Sequence, residues 1–368
     1  MPTRVIAKQN VVKSFEFAKI GRRALLITGK TGAVKSGALK DVTDALEINA
    51  VSYEIFNEIE ENPSIENCYR AAMLAIEKGA DFIIGIGGGS AMDAAKAAAV
   101  FATNGYEDMY EIYNGIPKRP LPLITVGTTS GTGSEVTAVS VITVKNEKGE
   151  PFKKSLKSPR LYPLYALVDP KYTYNLPWNI TVATALDVLC HAVEALYSAR
   201  AGEMSNIYAA EAIKRVWNAI KKAHWQTFVE FRNIDEEVRN ELSLASIIAG
   251  MAINTAGTGF AHAAGYPFST EKFVPHGLAC AYFLVPYVKH MRGANEKLDK
   301  IFTDSLGYGF EEFYEDMKKL LPTPPALSYE EVEAYTEFTS KSASLSNSVV
   351  PLSKGELEKV YAAFINKN

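Results

Sequence analysis

Asp187, His191, His262 and His276 are the residues of this 368-residue chain whose types and spacing best suit chemistry. Asp187 and His191 stand four apart in ATALDVLCHAVEALYSA, whose apolar spacing is helical. Residues at i and i+4 share a helix face, so both side chains can aim at one point. His262 and His276 stand fourteen apart in GTGFAHAAGYPFSTEKFVPHGLA. Three imidazoles and a carboxylate suit a borderline divalent ion such as iron(II) or zinc. They do not suit magnesium or calcium, which take oxygen ligands. Singly, each residue has an ordinary reading. An Asp-x-x-x-His pair on a helix is more often a surface or capping pair, and a lone histidine is usually core or surface. The other two histidines, His224 in KKAHWQ and His290 in YVKHMRG, read as surface or helix-end residues.

The segment upstream gives the four their weight. RALLITG reads as a short buried strand, followed by a loop with Gly and Lys and a helix through Ala38 to Glu47. VSYEIF reads as a second strand. SIENCYRAAMLAIEKG reads as an amphipathic helix with Ser64 as N-cap and Asn67 three residues on. DFIIGIG is a third strand, continuously apolar as in a parallel sheet covered on both faces. SAMDAAKAAAVFA follows as an Ala-rich helix, and PLITVGTT as a fourth strand. This alternation predicts a doubly wound parallel sheet of Rossmann type. From Thr181 onward the apolar spacing becomes helical, in TVATALDVLCHAVEAL, NIYAAEAIKRVWNAIKKA, EEVRNELSLASIIAGMAINTAG and KGELEKVYAAFINK. Pro170, Pro177 and the polar stretch between them mark the boundary. The expected organisation is an α/β dinucleotide-binding domain over residues 1–176 and an all-helical metal-binding domain over 177–368.

GIGGGSAMDAAK is the strongest single motif. Gly85, Gly87, Gly88 and Gly89 come straight off a strand and run into a helix. Bare backbone can approach an anion closely there, and the helix N-terminus offers free N–H groups. Ser90 can cap that helix and donate to a phosphate. A tight turn without a ligand is the plain alternative. VGTTSGTGSEVT places Thr128, Thr129, Ser130, Thr132 and Ser134 among glycines at a strand's end, which suits a ribose or adenine edge.

Composition bounds the rest. Hydrophobic residues make up 47% and charged residues 22%, and the net charge is -3. No basic surface asks for nucleic acid. The start, MPTRVIAKQN, lacks a signal-peptide core, and no apolar run is expected to reach the roughly 18 residues that span a bilayer. Cys68, Cys190 and Cys280 lack CxxC spacing and fit a reducing cytoplasm. Cys190, beside His191, reads as core. A homodimer is the base-rate assembly.

With GIGGGSAMDAAK, PLITVGTTSGTGSEVT, DVLCHAVEAL and FAHAAGYPFSTEKFVPHG in this order, nearly the whole chain resembles the iron-dependent (group III) alcohol dehydrogenases, and within them the 1,3-propanediol-type, NADP-dependent branch. The resemblance implies a Rossmann-like domain, an all-helical domain and an active site in the cleft between them. It implies hydride transfer between a nicotinamide cofactor and a primary alcohol or aldehyde. Carried over by position, the metal ligands fall on Asp187, His191, His262 and His276. The pyrophosphate turn falls on Gly87, Gly88, Gly89 and Ser90, with Asp93 just inside the helix. Adenine and nicotinamide contacts fall on Thr128, Thr129 and Thr132, with Lys153 following.

Two departures matter. Many members carry a histidine four residues past the third ligand as a proton relay, where this chain has Tyr266. A tyrosine can pass a proton but does not titrate near neutral pH. NAD-preferring members tend to carry an aspartate where this chain has Gly29. Its absence, with Lys30 and Lys35 nearby, favours NADP(H) over NAD(H). The expected ion is iron(II), with zinc compatible with the same ligands. Competing expectations are a zinc-dependent, NAD-linked glycerol or diol dehydrogenase, a dehydroquinate-synthase-like lyase, and a non-catalytic nucleotide-binding protein. Apolar neighbours of the ligands, namely Ala183, Ala185, Leu189, Phe260 and Ala263, argue for a small uncharged substrate over a sugar phosphate.

Overall fold

The computed structural model describes residues 2–223 and 234–365, which divide into two compact units, Met1–Leu176 and Pro177–Asn368. His224 lies outside the described residues.

The first unit is built on eight strands among the described residues. They are β1 (Arg4–Ala7), β2 (Arg23–Gly29), β3 (Ser52–Ile59), β4 (Phe82–Gly87), β5 (Leu123–Gly127) and β8 (Tyr165–Val168), with β6 (Val139–Lys145) and β7 (Pro151–Lys157) forming a separate antiparallel pair. The six-stranded sheet is parallel in the order β1-β8-β5-β4-β2-β3. Every residue of β4 and β5 is buried, because helices cover both faces. Side chains alternate between the two cores. Leu25, Ile27 and Ile83 join α3 (Ile65–Lys78) and α4 (Gly89–Asn104). Leu26, Ile84 and Ile86 join α2 (Ala38–Ile48), which follows the short α1 (Gly32–Lys35). Ser64 caps α3 by accepting from the Asn67 N–H at 3.1 Å, as the sequence predicts. The strand order reverses between β2 and β4. In open α/β sheets the carboxyl ends of strands at such a switch point form the ligand crevice.

The second unit contains α5 (Trp178–Leu196), α6 (Glu203–Lys222), α7 (Glu236–Ala256), α8 (Phe260–Glu271), α9 (His276–Ala281), α10 (Leu284–Met291), α11 (Glu296–Leu306), α12 (Phe310–Leu320), α13 (Tyr329–Ser340) and α14 (Lys354–Ala362). Helix α5 is apolar nearly all round, which places it at the centre of the bundle. It packs against α6, α7 and α9. It also corrects the expectation that no run is long enough to span a bilayer. Trp178–Leu196 meets the length and hydropathy of a span, but 83% of its most apolar 18-residue stretch is buried within the protein.

Candidate metal centre and cofactor turn

Asp187 and His191 lie on one face of α5, His262 in the first turn of α8, and His276 at the first position of α9. The folding of the unit brings all four together. Asp187 Oδ1 is 3.3 Å from His262 Nε2, 3.9 Å from His191 Nε2 and 3.9 Å from His276 Nε2. The His191 and His262 rings stack with centroids 4.5 Å apart. Donors on one tetrahedral ion with bonds near 2.0–2.2 Å stand about 3.3–3.6 Å apart, so these separations suit a shared ion after small adjustments. Asp187 and His262 are each 3% exposed. Asp187 Oδ1 and His262 Nε2 make no hydrogen bond of acceptable geometry with any described residue. Buried polar atoms left in this state are costly unless something binds them. A divalent cation meets that need. Burial opposes ionisation of Asp187, but His191, His276 and His262 outweigh it and hold its carboxyl below the usual carboxylate range.

Two features fix the cluster. Glu194, fully buried on α5, accepts the His262 backbone N–H at 3.0 Å on Oε1 and contacts His262 Nδ1 through Oε2. The bonded N–H is one of the orphan donors in the first turn of α8, so the carboxylate also caps that helix. With Nδ1 engaged, Nε2 is the nitrogen left for a ligand bond. Gly277 allows α9 to touch α5: a Cβ there would stand 1.9 Å from the Ala183 carbonyl and 2.7 Å from Asp187 Cβ. Glycine after His276 is therefore a condition for His276 to reach Asp187.

The glycine turn ends β4 beside the switch point. Cβ atoms at Gly88 and Gly89 would come within 3.1 Å of Thr129 Oγ1 and 2.8 Å of Thr132 Cγ2. The turn and the TTSGT segment thus sit against each other, with Thr128 donating its N–H to the Gly87 carbonyl at 2.9 Å. Packing alone requires small residues at these positions, so the glycines by themselves do not prove a phosphate site. Helix α4 starts at Gly89 with Gly88 as N-cap. Ser90 lies inside the first turn and does not cap it; its Oγ accepts from the Asn62 N–H at 3.2 Å. Asp93 is committed to the scaffold. Its Oδ1 accepts from Ser134 Oγ at 2.6 Å, and its Oδ2 accepts from the Val141 N–H at 2.9 Å. Gly29 is the last residue of β2, the strand next to β4, and Lys30 follows it. Lys153 lies on β7 opposite Thr143.

Both units have known counterparts. Residues 2–170 match the family model described as iron-containing alcohol dehydrogenase, and residues 181–321 match the C-terminal model of the same family. The chain belongs to the iron-containing alcohol dehydrogenase family. Alcohol dehydrogenase 4 of Schizosaccharomyces pombe is 33% identical over 265 residues, covering 72% of this chain and 61% of that one. The chain thus spans under two thirds of that relative's length. The crystal structure of an iron-containing alcohol dehydrogenase from Thermotoga maritima superposes with a TM-score of 0.87 at 33% identity, over 99% of this chain and 98% of that chain. That of sulfoacetaldehyde reductase from Bifidobacterium kashiwanohense in complex with NAD+ gives 0.88 at 26% identity, over 100% and 98%.

Tyr266 is the residue expected to stand where a relay histidine would be. It lies one turn past His262 on α8, and its ring stacks on His276 with centroids 5.7 Å apart. Burial pushes its pKa up to about 12, so the hydroxyl holds its proton near neutral pH. His290 is in the last turn of α10, as expected of a helix-end residue, with its ring against Phe260. Cys190 is fully buried, as expected of core. The apolar neighbours need correcting. Ala185, Leu189 and Phe260 are fully buried in the helical core and Ala183 meets Gly277, so their character reports packing and says nothing of substrate. Sequence reasoning missed Glu194, although it stands three residues past His191 and seven past Asp187 on the same face of α5. It missed Cys280, one turn past His276 on α9. It also missed Glu135, buried against Gly127 at the end of β5.

Proposed function

We propose that this chain transfers a hydride between NADP(H) and a small primary alcohol or aldehyde, using iron(II), with zinc acceptable to the same donors. The observation that carries this reading is the convergence of His191, His262 and His276 on Asp187 Oδ1. A divalent ion held there supplies Lewis acidity to the alcohol or carbonyl oxygen. Residues 177–368 hold the ion through Asp187, His191, His262 and His276, and residues 1–176 hold the cofactor.

Glu194 keeps the His262 ring in the tautomer and orientation that leave Nε2 available. Tyr266 flanks His276 and is the candidate proton donor. A hydroxyl with a pKa near 12 is a poor base for alcohol oxidation, but it is protonated and able to donate when an aldehyde is reduced. Gly87, Gly88, Gly89 and Ser90 cradle the pyrophosphate, with Thr128, Thr129, Thr132 and Lys153 as further cofactor contacts. Asp93 serves the cofactor by holding Ser134 and Val141 in place. NADP(H) is favoured because Gly29 offers no carboxylate to repel a 2'-phosphate, and Lys30 and Lys35 are exposed near the end of β2.

The test is a panel of short, long and anionic aldehydes, butyraldehyde included, run with NADPH and with NADH after separate loading with iron and with zinc. The reading expects metal-dependent loss of NADPH absorbance with at least one short aldehyde, faster than with NADH. No turnover with any aldehyde under any loading would overturn it.

A further inference from the structure

Lys96 lies inside α4 with its side chain fully buried, and the proposed chemistry makes no use of it. Its Nζ donates to Ser134 Oγ at 2.7 Å, to the Val139 carbonyl at 2.7 Å and to Thr137 Oγ1 at 3.3 Å. Three acceptors match the three N–H bonds of an ammonium group. Asp93 Oδ1 stands 3.5 Å away as the counter-charge. Burial lowers the Lys96 pKa, and the carboxylates of Asp93 and Glu135 oppose that. An apolar side chain of similar length would fill the same space without the cost of burying a charge. What the ammonium does, and an apolar chain cannot, is gather three acceptors from residues 134–139.

Those acceptors directly follow the TTSGT segment. The Ser134 N–H donates to Thr132 Oγ1 at 3.3 Å. The Thr132 side chain in turn occupies the space that a Cβ at Gly89 would need, 2.8 Å from Thr132 Cγ2. Ser134 Oγ, while accepting from Lys96, donates to Asp93 Oδ1 at 2.6 Å. The contacts close a ring. It runs from the glycine turn along α4 to Lys96, across to Ser134, on to Thr132 and back to Gly89. At the other end of the segment, the Thr128 N–H donates to the Gly87 carbonyl. With both ends tied, Lys96 and Ser134 set where Thr132 stands against the turn.

We propose that Lys96, acting through Ser134, is a positioning residue for the cofactor, fixing Thr132 against the glycine turn in the arrangement that receives the dinucleotide. The inference rests on the reading that residues 87–90 and 128–132 hold the cofactor. Being fully buried, Lys96 acts through these hydrogen bonds and not by touching the cofactor. Its effect belongs to affinity, since a segment held in place before binding avoids the ordering cost that a loose one adds.

The test follows NADPH binding to the full-length protein by the change in NADPH fluorescence, beside kcat at saturating NADPH and iron retained per chain. Ser134→Ala removes the hydroxyl that joins Lys96 to the segment. It should raise the NADPH dissociation constant about tenfold, the effect of one lost hydrogen bond to a charged group. KM for NADPH should rise with it, while kcat at saturation and iron retention hold, because binding alone is lost. Lys96→Met should weaken binding at least as much; should it fold poorly, Ser134→Ala decides. Wild-type affinity in Ser134→Ala would overturn the positioning role. So would a joint fall of affinity, kcat and iron retention, which marks general loosening of the fold. A wild-type protein that binds neither NADPH nor NADH would overturn the cofactor reading as well.

Discussion

One carboxylate acts on two donors of His262: Glu194 meets the ring at Nδ1 and the backbone N–H at 3.0 Å. Glu194→Gln keeps the size but loses one of these contacts, because an amide nitrogen must face a donor. Outer partners of this kind are worth about 10–100-fold in metal affinity. The variant should weaken ion binding by about that factor, read as ions retained per chain after dialysis against graded chelator; unchanged retention would show that Glu194 does not orient the ligand. Glu135 makes a different prediction. Burial pushes its pKa up to about 7 from 4.5, with Lys96 opposing the shift and Asp93 adding to it. Because the folded-state pKa is raised, its contribution to stability is full below about pH 4.5 and is lost as pH rises toward about 7. That loss is on the order of 3 kcal/mol. Glu135→Gln should therefore gain stability relative to wild type across that window and level off above it, measured by denaturant unfolding at a series of pH values. Equal pH slopes for the two proteins would refute the burial argument. Of the expected ligands, Asp187 and His191 were legible as a pair because i, i+4 spacing is local, whereas His262 and His276 took their place only from the family resemblance. Glu194 carries the same signal at i+7 but has no metal-ligand role to draw attention to it.

At the scale of elements, the metal cluster depends on how closely α9 approaches α5. The carbonyl of Ala183 leaves no room for a methyl at Gly277. Since the obstacle is backbone, Gly277→Ala must push the helices apart, at about 1–3 kcal/mol for an overpacked contact. His276 would leave Asp187, so ion affinity should fall at least tenfold alongside the lower unfolding midpoint; full affinity would mean the wedge does not set the site. Such close contacts are invisible in sequence, where the glycine of PHG reads only as part of a motif. The central strands were readable from continuous apolar runs such as DFIIGIG and PLITVG. The edge strand β1 was not, because four residues carry little signal and its pairing with β8 joins opposite ends of the unit. β7, with Pro151 and three lysines, has no apolar alternation to read. The cap at Gly88 was misplaced by two residues because glycine can start a helix without a side-chain bond, and serine looked the better candidate.

At the scale of the molecule, each unit has its own core. One core fills the helical unit, and two flank the sheet. All four expected metal ligands lie in Pro177–Asn368, and all the expected cofactor contacts lie in Met1–Leu176. Hydrogen exchange should separate the two roles. Adding the ion should slow exchange in α5, α8 and α9, and adding NADPH should slow it after β2, β4 and β5. The reverse pattern would contradict the division of labour. The central claim, that an ion on Asp187, His191, His262 and His276 is the seat of catalysis, is tested most directly by titrating metal-free protein with iron(II) while following NADPH oxidation by an aldehyde substrate. Turnover should rise in proportion to bound iron and saturate at one ion per chain, and His262→Ala should show neither retention nor turnover. Full turnover by metal-free protein, or by a metal-depleted His262→Ala variant, would contradict it.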